Sequence, residues 1–199
     1  PCRYVWVALG SQGRHEQSAR SDQDNALVLD DSATEQDDDY FKALARIVND
    51  GLNDCGYVYC PGDVMASNPD WRKPLKTWKK YFNKWITVPE AKALMHANIF
   101  FDLRAVYGES GLVDELKESI RKDAKRNEWF LALMAKNAMN FQPPLGFFRQ
   151  FVLEKSGEHK NTLDIKKHGI MPIVEIARIR ALAAGEVRIT TRNRLRAAA

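Results

Sequence analysis

The chain has 199 residues, 45% of them hydrophobic and 28% charged, with a net charge of +4 and a sequence pI near 9.0. That describes a soluble globular protein able to bury one substantial core or two small ones. No apolar stretch reaches the span of a membrane helix and no basic-then-apolar leader opens the sequence, so no membrane partner is expected; the modest positive excess suits a polyphosphate ligand without identifying nucleic acid.

In chain order, the apolar run Tyr4–Leu9 reads as a buried strand, the Gly10–Gly13 turn as the start of a short helix near Ser11, and Asn25–Leu29 as a second strand. Because Pro1 lies only a few residues before a core strand, the sequence reads as a fragment of a longer chain. Asp30, Asp31, Glu35, Asp37, Asp38 and Asp39 mark a solvated loop and the acidic first turn of a helix from about Tyr40 to Asp54. Tyr57-Val58-Tyr59, or a slightly longer segment, reads as a third strand. Leu75, Trp78, Phe82 and Trp85 then recur at helical spacing, with Lys73, Lys76, Lys79, Lys80 and Lys84 on the remaining surface. That periodicity makes the aromatics core and the lysines a solvated face, against a single-stranded nucleic-acid surface.

Further helices are expected at about Pro89–Tyr107, Leu112–Lys122, Asn127–Asn140, Phe147–Glu154 and Pro172–Ala184, the last capped by Gly185. The resulting fold class is α+β: a small mixed sheet with flanking helices (residues 1–68), followed by an all-helical domain (residues 69–199). Neither part buries its apolar faces alone, so substrate is expected in the cleft between them. Cys2, Cys55 and Cys60 are odd in number and lack Cys-x-x-Cys spacing, while Ala19 stands where a second histidine of His-Glu-x-x-His would be. Neither a disulfide framework nor a zinc site is suggested, and a reducing cytoplasm fits.

The chemistry is concentrated between Gly10 and Asp24. Side chains alternate along a strand, so Asp22 and Asp24 project to one side and Gln23 to the other. Two neighbouring carboxylates repel unless a divalent cation lies between them, and a hard ion such as Mg²⁺ suits carboxylates that also meet phosphates. Gly10 and Gly13 allow close backbone approach, and free N–H groups near Ser11 would face an incoming phosphate.

This constellation resembles the nucleotidyltransferase superfamily typified by DNA polymerase beta: strand, Gly-Ser turn, then Asp-x-Asp on the next strand. Gly10-Ser11-Gln12-Gly13-Arg14-His15-Glu16-Gln17, Ser21-Asp22-Gln23-Asp24-Asn25, Cys60-Pro61-Gly62-Asp63-Val64-Met65-Ala66-Ser67-Asn68-Pro69 and Phe100-Phe101-Asp102-Leu103-Arg104 are similar to one branch of it. That branch is related to the PII-protein uridylyltransferases and commonly follows cyclic-nucleotide-binding and CBS domains in bacterial signalling proteins. The resemblance implies Mg²⁺- or Mn²⁺-dependent transfer of a nucleoside monophosphate from a nucleoside triphosphate to a protein or small-molecule acceptor. Asp22 and Asp24 would hold the metal, Gly10, Ser11 and Gly13 the phosphates, and Arg14 would add a bidentate phosphate contact, with Glu16 pairing with Arg14 and fixing its direction.

The superfamily places a third acid on a neighbouring strand, and Tyr57-Val58-Tyr59 carries none. Asp63 takes that role if the strand extends through Met65. Asp102 and Arg104 resemble the uridylyltransferases' acidic-x-Arg helix and would line the cleft; equally, Asp102 forms a buried salt bridge with Arg104 or another base. Asp164, Lys166, Lys167, Arg178 and Arg180 either reach nucleotide phosphates or decorate the surface. The missing third acid keeps open an alternative, a non-catalytic module that binds nucleotide as a sensor without turnover.

Overall fold

A computed structural model of the chain describes residues 1–18, 21–141, 153 and 162–198; the expected helix Phe147–Glu154 lies outside the described residues. At its centre is a four-stranded mixed sheet in the order β3-β2-β1-β4, formed by β1 (Tyr4–Ala8), β2 (Asn25–Leu29), β3 (Arg72–Pro74) and β4 (Arg104–Gly108). β2 and β4 run antiparallel to β1, with Ala8 opposite both Asn25 and Arg104, while β3 lies parallel to β2. The sheet is therefore not confined to residues before 68, since two of its strands come from beyond that point.

Strand alternation divides the apolar side chains between two faces. Trp6, Leu27 and Leu29 pack on Phe41 and Ala45 of α2 (Glu35–Asp54), whereas Val5, Val7, Ala26 and Val28 face the larger helical layer. That layer begins with α3 (Leu75–Thr87), whose Leu75, Trp78, Phe82 and Trp85 are all buried, as their spacing predicts. The Trp78 indole N–H donates to the Leu27 carbonyl at 3.0 Å, fixing the height of α3 over the sheet. α4 (Ala91–Phe100), α5 (Ser110–Lys125), α6 (Glu128–Ala138) and α7 (Met171–Ala184) complete the layer. Gly185, at φ 73°, closes α7 in the left-handed conformation that its residue type favours.

Several expectations need correction. α2 starts at Glu35, because Thr34 and Asp37 form a reciprocal capping box and Glu35, Asp37 and Asp38 fill its first turn. The helix expected over Pro89–Tyr107 ends at Phe100, and Arg104–Gly108 becomes an edge strand instead. Tyr57–Tyr59 forms no strand; a single bridge joins Gln23 to Tyr59, and all three side chains are exposed. β3 and the short C-terminal helix α8 (Thr191–Ala198) were not foreseen.

Where a third strand was expected at Tyr57–Tyr59, a polar network secures the sheet. Asn49 of α2 is buried and donates to the side-chain oxygens of Gln23 and Asn25. In turn the Asn49 oxygen accepts the Ser67 amide, the Asn25 oxygen accepts the Ala66 amide, and Gln23 donates to the Asn49 and Tyr57 carbonyls. These bonds tie the residues before β2 and the 57–67 segment to α2. Removing Asn49 leaves buried donors and acceptors unpaired, so Asn49→Ala is expected to cost about 2–3 kcal/mol, read as a lower denaturant midpoint at unchanged m-value.

Candidate functional site

The candidate site lies where β1 ends and β2 begins. Leu9 donates its amide to the Asp24 carbonyl at 3.0 Å, joining the turn after β1 to the residues before β2. The turn itself is a one-turn helix, α1 (Gly10–Gly13). Gly10 adopts φ +53°, and a Cβ there would stand 3.2 Å from Asp24 Oδ2, so glycine preserves the space beside that carboxylate. Gly13 has a different reason: a Cβ would fall 1.9 Å from the Asp102 carbonyl oxygen. Its close approach is to the protein's own backbone.

Asp22 and Asp24 converge on Cys60, one ligand atom from each lying within 4.8 Å of the others. Gln23 turns to the opposite face, into the Asn49 network, as strand alternation requires. Burial raises the Asp24 carboxyl to about 6; Asp22 reinforces the shift, while a hydrogen bond from Cys60 and the positive charge of Lys166 oppose it. Burial likewise pushes the Cys60 thiol up to about 11. Two oxygens and one sulfur, gathered beside a glycine that keeps the approach open, form a donor set that fits a divalent cation.

Asp63 does not join this cluster. It sits on an exposed turn with φ 53°, and its carboxylate accepts from Asn68 Nδ2 at 2.9 Å. The strand that would have carried it through Met65 is absent, so the third corner falls to Cys60.

Arg14, Asp102 and Arg104 are each engaged by partners within the protein. Asp102 is fully buried and accepts from Arg14, from Arg178 of α7 and from Arg194 of α8, each at 2.5 Å. Its carboxyl is held far below the usual range by these three guanidinium groups, which outweigh its burial. The buried-pair alternative for Asp102 therefore holds, but with partners other than Arg104. Arg14 is 6% exposed and spans Asp102 and Glu16. Arg104 donates to the carbonyls of Gln12 and Gly13, closing the end of α1.

Arg178 is completely buried between Asp102 and Glu175. Arg180 lines a separate, largely apolar cavity between α6 and α7. Asp164 accepts the Lys167 amide at 2.8 Å. Lys166 of that basic group lowers the pKa of Asp24 through its charge.

Two of the site's long-range contacts carry no sequence signal. Cys60 is separated from Asp24 by 36 positions, and nothing in cysteine spacing links them. Glu16 not only pairs with Arg14 but accepts the backbone and hydroxyl of Thr191, capping α8 with negative charge.

Opposite pH dependences follow for Asp102 and Asp24. Asp102 ionises below its ordinary range in the fold, so its contribution is present above that range and lost as pH falls through it; Asp102→Asn should cost about 3–5 kcal/mol near neutrality, a difference that shrinks below about pH 4. Asp24 ionises above its ordinary range, so stability is lost as pH rises through about 6. Asp24→Asn should melt above the unsubstituted protein at pH 8 and converge with it on acidification, and added Mn²⁺ should raise the melting temperature of the unsubstituted protein alone.

A family model described as Putative nucleotidyltransferase DUF294 matches residues 1–92 and contains the turn, both aspartates and Cys60. A second, described as Putative nucleotidyltransferase substrate binding domain, matches residues 128–199 and contains Arg178 and Arg194. No curated protein matches the chain. Matched in this order, with Asp22 and Asp24 converging beside the Gly10-Ser11 turn, the chain belongs to the nucleotidyltransferase family that these two models describe.

Proposed function

We propose that the protein transfers a nucleoside monophosphate from a nucleoside triphosphate to a protein or small-molecule acceptor, in the manner of a uridylyltransferase serving signal transduction. The observation that carries this reading is the convergence of Asp22 and Asp24 beside Gly10, whose missing side chain leaves room at Asp24. Asp22 and Asp24 would hold Mg²⁺ or Mn²⁺, and such an ion offsets charge on the phosphate oxygens and lowers the pKa of an attacking hydroxyl.

The chain's own residues orient and neutralise. Ser11 and the amides of its turn face the β- and γ-phosphates, and Lys166, whose charge already acts on Asp24, adds a mobile cation at the same place. Asp24 is half desolvated before any ligand arrives, so the charge of a bound cation is weakly screened there. A cavity of about 290 Å³ between α3 and α4, walled by Trp71, Tyr81, Trp85 and His96, offers aromatic faces suited to a nucleobase. Regulatory CBS or cyclic-nucleotide-binding domains in a longer chain would control access to the site.

One observation favours the second reading, a nucleotide sensor without turnover: the corner expected to carry a third carboxylate carries the Cys60 thiol. Labelled nucleoside triphosphates, Mg²⁺ or Mn²⁺ and candidate acceptors decide between them. Transfer with pyrophosphate release, reduced about 100-fold or more by Asp22→Asn or Asp24→Asn in a folded protein, supports the transferase. Calorimetric triphosphate binding without pyrophosphate release supports the sensor, and no binding under any combination defeats both.

A further inference from the structure

Four aromatic side chains close a ring around the cavity between α3 and α4. Trp71 meets Tyr81 at 6.4 Å between ring centroids, Tyr81 meets Trp85 at 6.0 Å, Trp85 meets His96 at 5.1 Å, and His96 returns to Trp71 at 5.3 Å. Phe100 is fully buried and packs on Trp71, Trp85 and His96 at 4.5, 5.2 and 5.8 Å, so three of the four walls are braced by one ring. The volume of about 290 Å³ lies at the small end of ligand sites and suits a single ring system with a sugar-sized attachment. Among the described residues, its wall includes none of Gly10, Ser11, Asp22 and Asp24.

Two polar atoms of the wall residues are unpaired. The Trp71 indole nitrogen and His96 Nδ1 are buried and make no hydrogen bond among the described residues. One such group is costly to leave without a partner, and two on rings that touch call for a common cause. Burial, and then the charge of Lys92, holds the His96 pKa below its ordinary value. The imidazole is therefore neutral at neutral pH, and with Nε2 protonated Nδ1 is an acceptor, whereas an indole N–H only donates. A ligand that accepts at one point of its edge and donates at the next satisfies both, as the hydrogen-bonding edge of a nucleobase does.

Charge excludes the alternatives. Asp70 and Glu90 stand at the mouth with Lys84 and Lys92, all four exposed, so their charges cancel and draw neither an anion nor a cation. An organic cation would stack on the rings but would bring a positive charge to the indole N–H, and an apolar guest would leave both nitrogens unpaired.

We infer that this cavity is a nucleoside site in its own right: Tyr81 and Trp85 stack on the base, Trp71 Nε1 donates to it, His96 Nδ1 accepts from it, and no divalent cation takes part. This rests on the reading of the cavity as suited to a nucleobase, and not on turnover. Trp71 ends the short turn Pro69–Trp71 while His96 belongs to α4, so the two rings sit on separate elements and turn apart to admit the edge of the base.

The Trp71 indole proton reports the contact directly. The chain has five tryptophans, so a nitrogen–proton correlation spectrum carries few indole signals, and Trp71→Phe identifies the one that matters. In the full chain with metal removed by EDTA, at least one of uridine, cytidine, adenosine and guanosine should bind with a dissociation constant on the order of 0.1–1 mM. The same nucleoside should move the Trp71 signal downfield as the indole gains an acceptor, and replacing EDTA with Mg²⁺ should leave the affinity unchanged. His96→Phe keeps a ring and removes the unpaired nitrogen, so the folded variant should bind the nucleoside about tenfold more weakly. Should that variant fail to fold, the Trp71 signal of the unsubstituted protein still decides. No nucleoside binding at millimolar concentration, binding that leaves the Trp71 signal in place, binding that requires Mg²⁺ or Mn²⁺, or equal affinity in folded His96→Phe would each overturn the inference. Triphosphate binding with Mn²⁺ that leaves the Trp71 signal in place sinks the cavity site alone, whereas metal-free nucleoside binding at Trp71 without pyrophosphate release in any combination keeps the cavity site and removes the transferase.

Discussion

One buried carboxylate organises the molecule. Asp102, with no solvent exposure, binds guanidinium groups from the residue that follows α1, from α7 and from α8, while its own backbone carbonyl occupies the space that a side chain at residue 13 would need. Three arginines around one acid would carry excess positive charge, but Glu16 pairs with Arg14 and Glu175 with Arg178, so three acids meet three bases. Such a network adds little net stability relative to an apolar core of the same shape, yet losing any member strands the rest in a medium where charge is costly. Its effect is geometric. The signature turn and the C-terminal helices occupy one mutual arrangement because every alternative leaves a buried ion unpaired.

That arrangement determines which charges remain for a ligand. Arg14, next to the Gly-Ser turn, is the obvious phosphate contact from sequence, but its guanidinium is spent on Asp102 and Glu16. Arg178 is likewise enclosed, and Arg104 is turned to the carbonyl end of α1. Rigid arginines thus hold the scaffold, and on the proposed reading neutralising a polyphosphate would fall to a bound cation and to Lys166, whose charge lowers the pKa of Asp24. This division suits a transfer reaction: a fixed guanidinium gripping the ground-state phosphates would bind substrate and transition state alike and bring no acceleration.

Local chemistry was legible in the sequence where it depended on neighbours along the chain. Alternation assigned Asp22 and Asp24 to one face and Gln23 to the other, helical period buried Trp78, Phe82 and Trp85, and Gly185 marked the end of α7. Errors arose where distant partners decided the outcome. Arg104–Gly108 continues an apolar helical pattern and becomes a strand only because the free edge of β1 accepts it. Tyr57–Tyr59 has strand composition but no edge to join beyond one bridge, so its side chains remain in solvent. Two of the three partners of Asp102 stand 76 and 92 positions further along the chain, and no local rule distinguishes Arg178 and Arg194 from the other arginines of a basic C-terminus.

The same long-range contacts explain how the site tolerates its own unfavourable electrostatics. Asp22 and Asp24 are held close enough to repel, and burial raises the Asp24 carboxyl to about 6. Left to itself, the segment would relieve both by turning one carboxylate outward. It is prevented on one side by the buried bonds of Gln23 and Asn25 to Asn49, and on the other by the Leu9 amide bound to the Asp24 carbonyl, in a turn that Asp102 anchors. The strain is local and the restraint is distributed over α2, β1 and the arginine cluster, so the two carboxylates are held together before any ligand arrives. On the proposed reading, a cation between them would find its ligands assembled and would relieve their repulsion on binding, which is the physical sense in which such a site is preorganised.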